Sequence, residues 1–350
     1  MFFEQEVKDE FTADGKYTTK TRIRRIKNFR QWRQLLGSLV DFRLEDDSIQ
    51  RPNRVDRNIH IPPNEITKGH FSQAQEIFQD KEQDARALVG IGEMAKIGFS
   101  PYTNHRHVGE VPAYKQFIEN SPKLFTALSL IKQNLKDNPD GGQIVYSEVG
   151  TEFFPVIKEY LVKEIGLKKE EVEIITGSTP SGSGDAKDIK RKKIQDDLNS
   201  GKVKVLLGSS AIQVGMNLQE NTTDMHLLSL PWNFLDLTQI YGRAWRQGNT
   251  WGNVRMTHYL MEDSGDIHRF QLLGNKKGLY DSAISENANE VDISDVDPEE
   301  EALALISDPK RKAEMQLSGE VKLLNVKKDQ LKADLAFSSR KIEKITELDE

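Results

Sequence analysis

Between residues 141 and 261 short apolar runs alternate with amphipathic stretches, and this alternation limits the possible folds more than any other feature of the chain. Residues 143–146, 172–175, 203–207, 225–230 and 254–261 read as strands, and residues 151–165 (with Pro155 near the start), 187–199 and 234–246 as helices. Strands that follow one another in the same direction need crossover connections, and helices in those crossovers cover the sheet on both faces. The expected fold class is α/β, a parallel sheet between two helical layers, with ligands gathering in crevices at the carboxyl ends of the strands.

The flanks read differently. Residues 16–33 place Lys16, Lys20, Arg22, Arg24, Arg25, Lys27, Arg30 and Arg33 among Tyr17, Phe29 and Trp32, a basic patch suited either to the solvated face of a helix or to phosphates. Residues 64–98 have helical apolar spacing that stops at Phe99-Ser100-Pro101, and Ser121-Pro122 opens a helix to about Lys136. Asp292, Asp295, Asp297, Glu299, Glu300 and Glu301 mark an acidic linker, followed by a charged tail with Val321, Leu324, Leu331, Leu335, Ile342 and Ile345 at helical intervals. The expected divisions are a basic, helical accessory region over 1–110, the sheet-bearing lobe over 111–283, the linker over 284–310 and the tail over 311–350.

Composition excludes several classes. With no cysteine there is neither a disulfide nor a thiolate metal site, and His105 and His107, without a third ligand, read as a surface loop, so no metal site is expected. No apolar run approaches a membrane span, and Met1-Phe2-Phe3 leads directly into Glu4 and Glu6, unlike a signal peptide. A cytoplasmic protein, or one associated with a virion, is expected. The formal net charge of −6 argues against coating nucleic acid by bulk charge, so any such contact must be local.

Three linked segments carry the chemistry: 206–219, with Ser209, Gly215, Asn217 and Gln219; then Leu230-Pro231-Trp232-Asn233; then Gln239-Ile240-Tyr241-Gly242-Arg243-Ala244-Trp245-Arg246-Gln247-Gly248. Each follows a predicted strand. Arg243 and Arg246 are three apart, so on a helix they share a face, and a guanidinium fork suits phosphate oxygens better than an ammonium. Gly215 and Gly242 permit close backbone approach, and Asn217 offers both a donor and an acceptor. Residues 177–184, Gly-Ser-Thr-Pro-Ser-Gly-Ser-Gly, are no Walker A loop, because no Gly-Lys-Ser/Thr closes them.

In order and spacing these segments resemble motifs V and VI of superfamily 2, Swi/Snf-like helicases and translocases, in the divergent style of giant phage and mobile-element helicases. Weaker likenesses, including Ser121-Pro122-Lys123-Leu124 and Asp266-Ile267-His268, extend over about 42–283. The resemblance implies the second, RecA-like motor lobe, in which Arg243 and Arg246 are arginine fingers at the crevice edge and Gly215, Asn217, Gln239 and Gly242 line the nucleotide side. It further implies nucleic-acid backbone contacts at Ser147, Gly177, Ser178, Thr179, Ser209, Trp232 and Asn233, with double-stranded DNA as the favoured partner. Ile212 and Gln213 stand in place of the family's usual glycine pair, Ile240 in place of a common arginine, and Asn249 where glutamine is typical.

Half of such a site is missing from these residues. Asp14-Gly15-Lys16-Tyr17 and Asp9-Glu10 lack the context of a Walker A or an Asp-Glu motif, so ATP with magnesium is expected only in a site shared with a first-lobe polypeptide. The alternative is a non-catalytic DNA-binding or scaffolding module that retains the lobe's fold.

Overall fold

The computed structural model describes residues 3–11, 17–37, 50–75, 86–103, 110–177, 185–213, 215–284 and 291–292, and in the tail Lys328, Leu331, Lys332 and Leu335. Strands β1 (Phe3–Phe11) and β2 (Tyr17–Ile26) form an antiparallel pair, extended by the short β9 (Val291–Asp292), and α1 (Phe29–Gly37) follows β2. Of the basic patch, Lys20, Arg22, Arg24 and Arg25 lie on β2 and only Arg30 and Arg33 on α1, so it is not one helical face, and Lys16 lies outside the described residues. His105, His107, Ser178 and Thr179 lie outside the described residues, as do nearly all of the linker and the tail; the four described tail residues are helical.

The second sheet has six strands in the order β3-β8-β7-β4-β6-β5, and every neighbouring pair is parallel. Its members are β3 (Asn53–Ile61), β4 (Gly142–Tyr146), β5 (Val172–Ile175), β6 (Val205–Gly208), β7 (Thr222–Leu227) and β8 (Asn253–Met261). The α/β expectation holds, with a strand that sequence reading missed. β3 lies at the sheet edge with the residue pattern Arg54-Val55-Asp56-Arg57-Asn58-Ile59-His60, too polar to announce a strand, and its pairing with β8 supplies the backbone partners that sequence periodicity did not signal.

Helices cover both faces because the central strands are apolar on both sides. On one face α2 (Glu65–Gln75), α3 (Arg86–Phe99), α4 (Tyr114–Glu119), α5 (Pro122–Asp137) and α6 (Phe154–Tyr160) surround Val145, Val205 and Leu207. On the other, α7 (Asp185–Asn199), α8 (Phe234–Tyr241) and α9 (Asp266–Ile284) enclose Ile144, Tyr146, Leu206 and Met225. Side chains of successive strand residues enter opposite cores, as the two-residue pleat requires. The stretch expected as one helix over 151–165 is a 3-10 turn, then α6, then a π turn at Leu161–Ile165 ending at Gly166 in the left-handed region (φ 93°). Among the described residues no helix is long and apolar enough to cross a membrane.

Two histidines inside the sheet are satisfied in chains, while the buried Thr257 Oγ1 on β8 has no partner among the described residues. His226 on β7 lies between the Tyr259 hydroxyl (2.8 Å) and Gln143 Oε1 (2.9 Å), and His258 on β8 between the Tyr241 hydroxyl (2.6 Å) and Asn58 Oδ1 (2.9 Å). Burial holds both imidazoles down to about 4, so they are neutral in the fold. Asp224, wholly buried, receives two bonds from the Arg255 fork on the adjacent strand.

Candidate functional site

The loops at the carboxyl edge of the sheet follow β4, β5, β6 and β7 and hold the residues expected to meet nucleic acid. Trp232 is the most prominent: 53% exposed, with the Arg269 guanidinium from α9 lying 3.9 Å from its ring centroid. Gly177 is exposed at the end of β5 and has open space around it. Other expected contacts are committed elsewhere. The Ser147 hydroxyl is buried and donates to Val149 O (2.7 Å), closing its own turn rather than facing outward. Ser209 is also buried, and its Oγ accepts from Ala211 N at 3.4 Å as cap of the 3-10 turn Ser210–Ile212. The exposed hydroxyl of that loop belongs to Ser210, which the motif pattern did not distinguish from its neighbour.

Asn233 is the N-cap of α8, its Oδ1 accepting from Asp236 N at 2.7 Å while its amide meets the Asp236 carboxylate. It is exposed, but its side chain serves the helix start, fixing Trp232 immediately ahead of it. The departures from the family pattern also find roles. Ile212 is wholly buried and fills the space above Gly208, where a Cβ would come within 2.7 Å of it. Gln213 Nε2 donates to the Tyr146 hydroxyl (2.6 Å), which in turn donates to Glu148 (2.6 Å).

The arginines lie elsewhere. α8 ends at Tyr241, so Arg243 and Arg246 stand in the turn beyond it and not on the helix to residue 246 that the spacing suggested. That turn is at the amino edge of the sheet: Trp245 Nε1 donates to Pro52 O (2.8 Å), just before β3 begins, and Asn249 Nδ2 to Thr222 O (2.8 Å), where β7 begins. The expectation of a crevice at the carboxyl side is thereby corrected. The strand-end rule applies to loops that leave a strand, whereas these residues arrive one helix later, after α8 has carried the chain back along the sheet.

Turn bonds still hold the two guanidinium groups together: Arg243 N donates to Ile240 O (3.0 Å) and Trp245 N to Tyr241 O (2.8 Å). Arg243 Nη1 donates to Met216 O, and Arg246 Nη1 to Asn217 Oδ1 (2.9 Å), so both arginines meet the segment that crosses from β6 to β7. Asn217 is itself fixed from α7, its N–H donating to Gln195 Oε1 (2.8 Å) and its carbonyl accepting from Asn199 Nδ2 (2.9 Å). Gly215, exposed and at φ 75°, makes the left-handed turn that starts this crossing. Gly242 has ordinary helical φ and no such need, and Gln239 is exposed on α8.

Arg243 is only partly exposed, and its Nε is buried without a partner. Burial, and then the like charge of Arg246, draw its pKa below the usual arginine value. Two cations brought together with a donor unsatisfied form a place where an anion would be welcome. Asn249, which the sequence marked only as a departure, secures the turn by donating to Gln219 O (2.7 Å), Thr222 O and Ala244 O.

This order of carboxyl-edge loops, crossing segment and paired arginines coincides with a family match: residues 128–248 match the helicase conserved C-terminal domain. Those residues carry a helicase carboxyl-terminal domain. A 104-residue stretch is 31% identical to the defense against restriction protein B of Escherichia phage P1, covering 30% of this chain but 5% of that protein. The C-terminal part of the Fun30 ATPase domain shares the helicase lobe's fold, with a TM-score of 0.50 at 15% identity over 64% of this chain and 90% of that one. The Sulfolobus solfataricus SWI2/SNF2 ATPase C-terminal domain gives 0.48 at 14% identity over 73% and 95%.

Two fragments of the weaker likeness, outside the matched residues, also meet in this fold. Lys123, at the start of α5 and 1% exposed, pairs with Asp266 at the start of α9 and donates to Leu228 O (3.1 Å). Asp266 Oδ2 accepts from Met261 N (3.0 Å), so this buried pair pins α5 and α9 to the ends of β7 and β8. Sequence alone offered both fragments without their contact.

Proposed function

We propose that this lobe is the second half of an ATP-dependent DNA translocase or helicase motor, supplying Arg243 and Arg246 to a nucleotide held by a first lobe outside these 350 residues. The observation that carries the reading is the half-buried Arg243 with its orphaned Nε beside Arg246. In phosphoryl transfer charge spreads over the γ-phosphate oxygens, and fixed donors that need no rearrangement stabilise it best. Arg243 and Arg246, anchored on Met216 and Asn217, meet that requirement, and Gly215 leaves the backbone beside them open. ATP with magnesium would supply the phosphoryl group, held by Walker A and Asp-Glu motifs that the first lobe brings. Double-stranded DNA would run along the opposite, carboxyl edge past Gly177, Ser210 and Trp232.

The test combines the chain with a first-lobe polypeptide and measures ATP hydrolysis with and without duplex DNA. DNA-stimulated turnover is expected, and Arg243→Ala or Arg246→Ala should each lower it by roughly 10³- to 10⁵-fold, the usual range for an arginine finger. Undiminished turnover in both variants would remove the assignment and leave a DNA-binding scaffold as the reading to pursue.

A further inference from the structure

α7 carries a concentration of cations that the motor reading does not use. Lys187, Lys190, Arg191, Lys192 and Lys193 fall within seven residues of its amino-terminal half. The helix runs the length of the sheet. Its far end lies at the amino edge, where Leu198 meets Gly142 at the start of β4, and Arg191 Nη2 donates to Ala211 O (3.2 Å) in the loop that presents Ser210. The charged half thus begins just past the loop that leaves β5 at Gly177 and stands level with the carboxyl edge.

The cations differ in their commitments. Arg191 is tied to Ala211, and Lys192 pairs with Asp196 (2.9 Å) one turn on. Lys190 and Lys193 are exposed, and among the described residues neither shares an ion pair. Three apart, they occupy one face of the helix, with Ile189 next to them 69% exposed. Buried Ile194 and Leu198 already hold α7 to the core, so an apolar side chain and two free ammonium groups on its outer flank have no task in the fold itself. Closely spaced lysines without ion pairs, on the same edge as exposed Gly177 and Ser210, suit the regular charges of a phosphodiester backbone, which position a protein without reading sequence.

We infer that Lys190 and Lys193 extend the nucleic-acid track of this lobe from the carboxyl-edge loops onto α7 and neutralise two phosphates of a DNA duplex. The inference rests on the DNA-binding part of the proposed function. It adds a contact that lies outside motifs V and VI.

The experiment measures binding of the full chain to a fluorescein-labelled 20-bp DNA duplex, about two helical turns, by anisotropy across a salt series. Three proteins are compared: the unaltered chain, Lys190→Gln/Lys193→Gln, and Lys169→Gln/Lys202→Gln. The last removes the same charge from exposed lysines near the amino edge, one just before β5 and the other just before β6. Each phosphate contact contributes about 0.9 to the slope of log K against log salt, so the α7 variant should lose a slope of about 2 while the control keeps the unaltered value. All four lysines are exposed, and unchanged melting temperatures would show that the variants fold. Binding by the unaltered chain with the same slope in the α7 variant would overturn this inference alone and leave the motor reading standing. Equal losses in the α7 variant and the control would also overturn it, since bulk charge would then be responsible. Absence of binding by all three would overturn the DNA-binding reading and this inference with it.

Discussion

Lys123 and Asp266 illustrate how a residue can matter to this lobe without touching a ligand. Both are nearly inaccessible, and each has a second tie: Lys123 to Leu228 O, Asp266 to Met261 N. A buried pair gains little over an apolar substitute, but removing one partner leaves a charge buried without compensation. Lys123→Met should therefore destabilise the chain by about 3–5 kcal/mol, read as a lower urea midpoint. Because the pair joins the starts of α5 and α9 at the ends of β7 and β8, the same change should loosen Arg269 beneath Trp232. Neither residue type nor spacing reveals such a pair across 143 positions. The motifs show that both fragments are present, and only folding brings them together.

At the scale of elements, the central strands and α5 and α7 were legible because apolar residues recur at the period of each element, whereas α9 was signalled only by the family likeness at Asp266-Ile267-His268. β3 was not, since an edge strand that needs one covered side can be rich in Arg, Asp and Asn. The early end of α8 was hidden as well: residues 242–246 keep helix-like spacing, yet the chain must turn there for Trp245 and Asn249 to reach Pro52 and Thr222. Sequence named the arginines, but their place at the amino edge depends on how far α8 carries the chain. The turn is held further by Tyr241, whose hydroxyl bonds His258 on β8, itself bonded to Asn58 on β3.

This element-level network titrates. His226 and His258 have folded values near 4, below the ordinary 6.5, because burial disfavours the charged ring. The unfolded chain then binds more protons between those values, so stability is fully present above about pH 6.5 and declines as pH falls toward 4. The loss should reach on the order of 2–3 kcal/mol per histidine, measured as urea midpoints between pH 7.5 and 4.5. His258→Gln should reduce that pH dependence, and an equally steep decline in the variant would show that other groups set it.

Across the whole molecule, the two candidate sites lie at opposite edges of one sheet. Trp232 stands at the start of α8, and Arg243 and Arg246 stand just beyond its end, so a single short helix separates the surface proposed for DNA from the one proposed for nucleotide. α7 spans the same distance, bonding the Ser210 loop through Arg191 and the arginine side through Gln195 and Asn199. If the surfaces are functionally distinct, substitutions at each should separate. Trp232→Ala removes the platform beneath Arg269 and should weaken duplex binding by on the order of 1 kcal/mol, about fivefold, as exposed cation–π contacts suggest. Arg243→Ala should leave the DNA affinity of the chain by itself within twofold while abolishing stimulated hydrolysis in the presence of a first lobe. Anisotropy on the isolated chain and ATPase assays on the combined lobes measure the two effects independently. A fivefold loss of DNA affinity in Arg243→Ala would mean that the arginines face nucleic acid, and the division of labour along α8 would have to be abandoned.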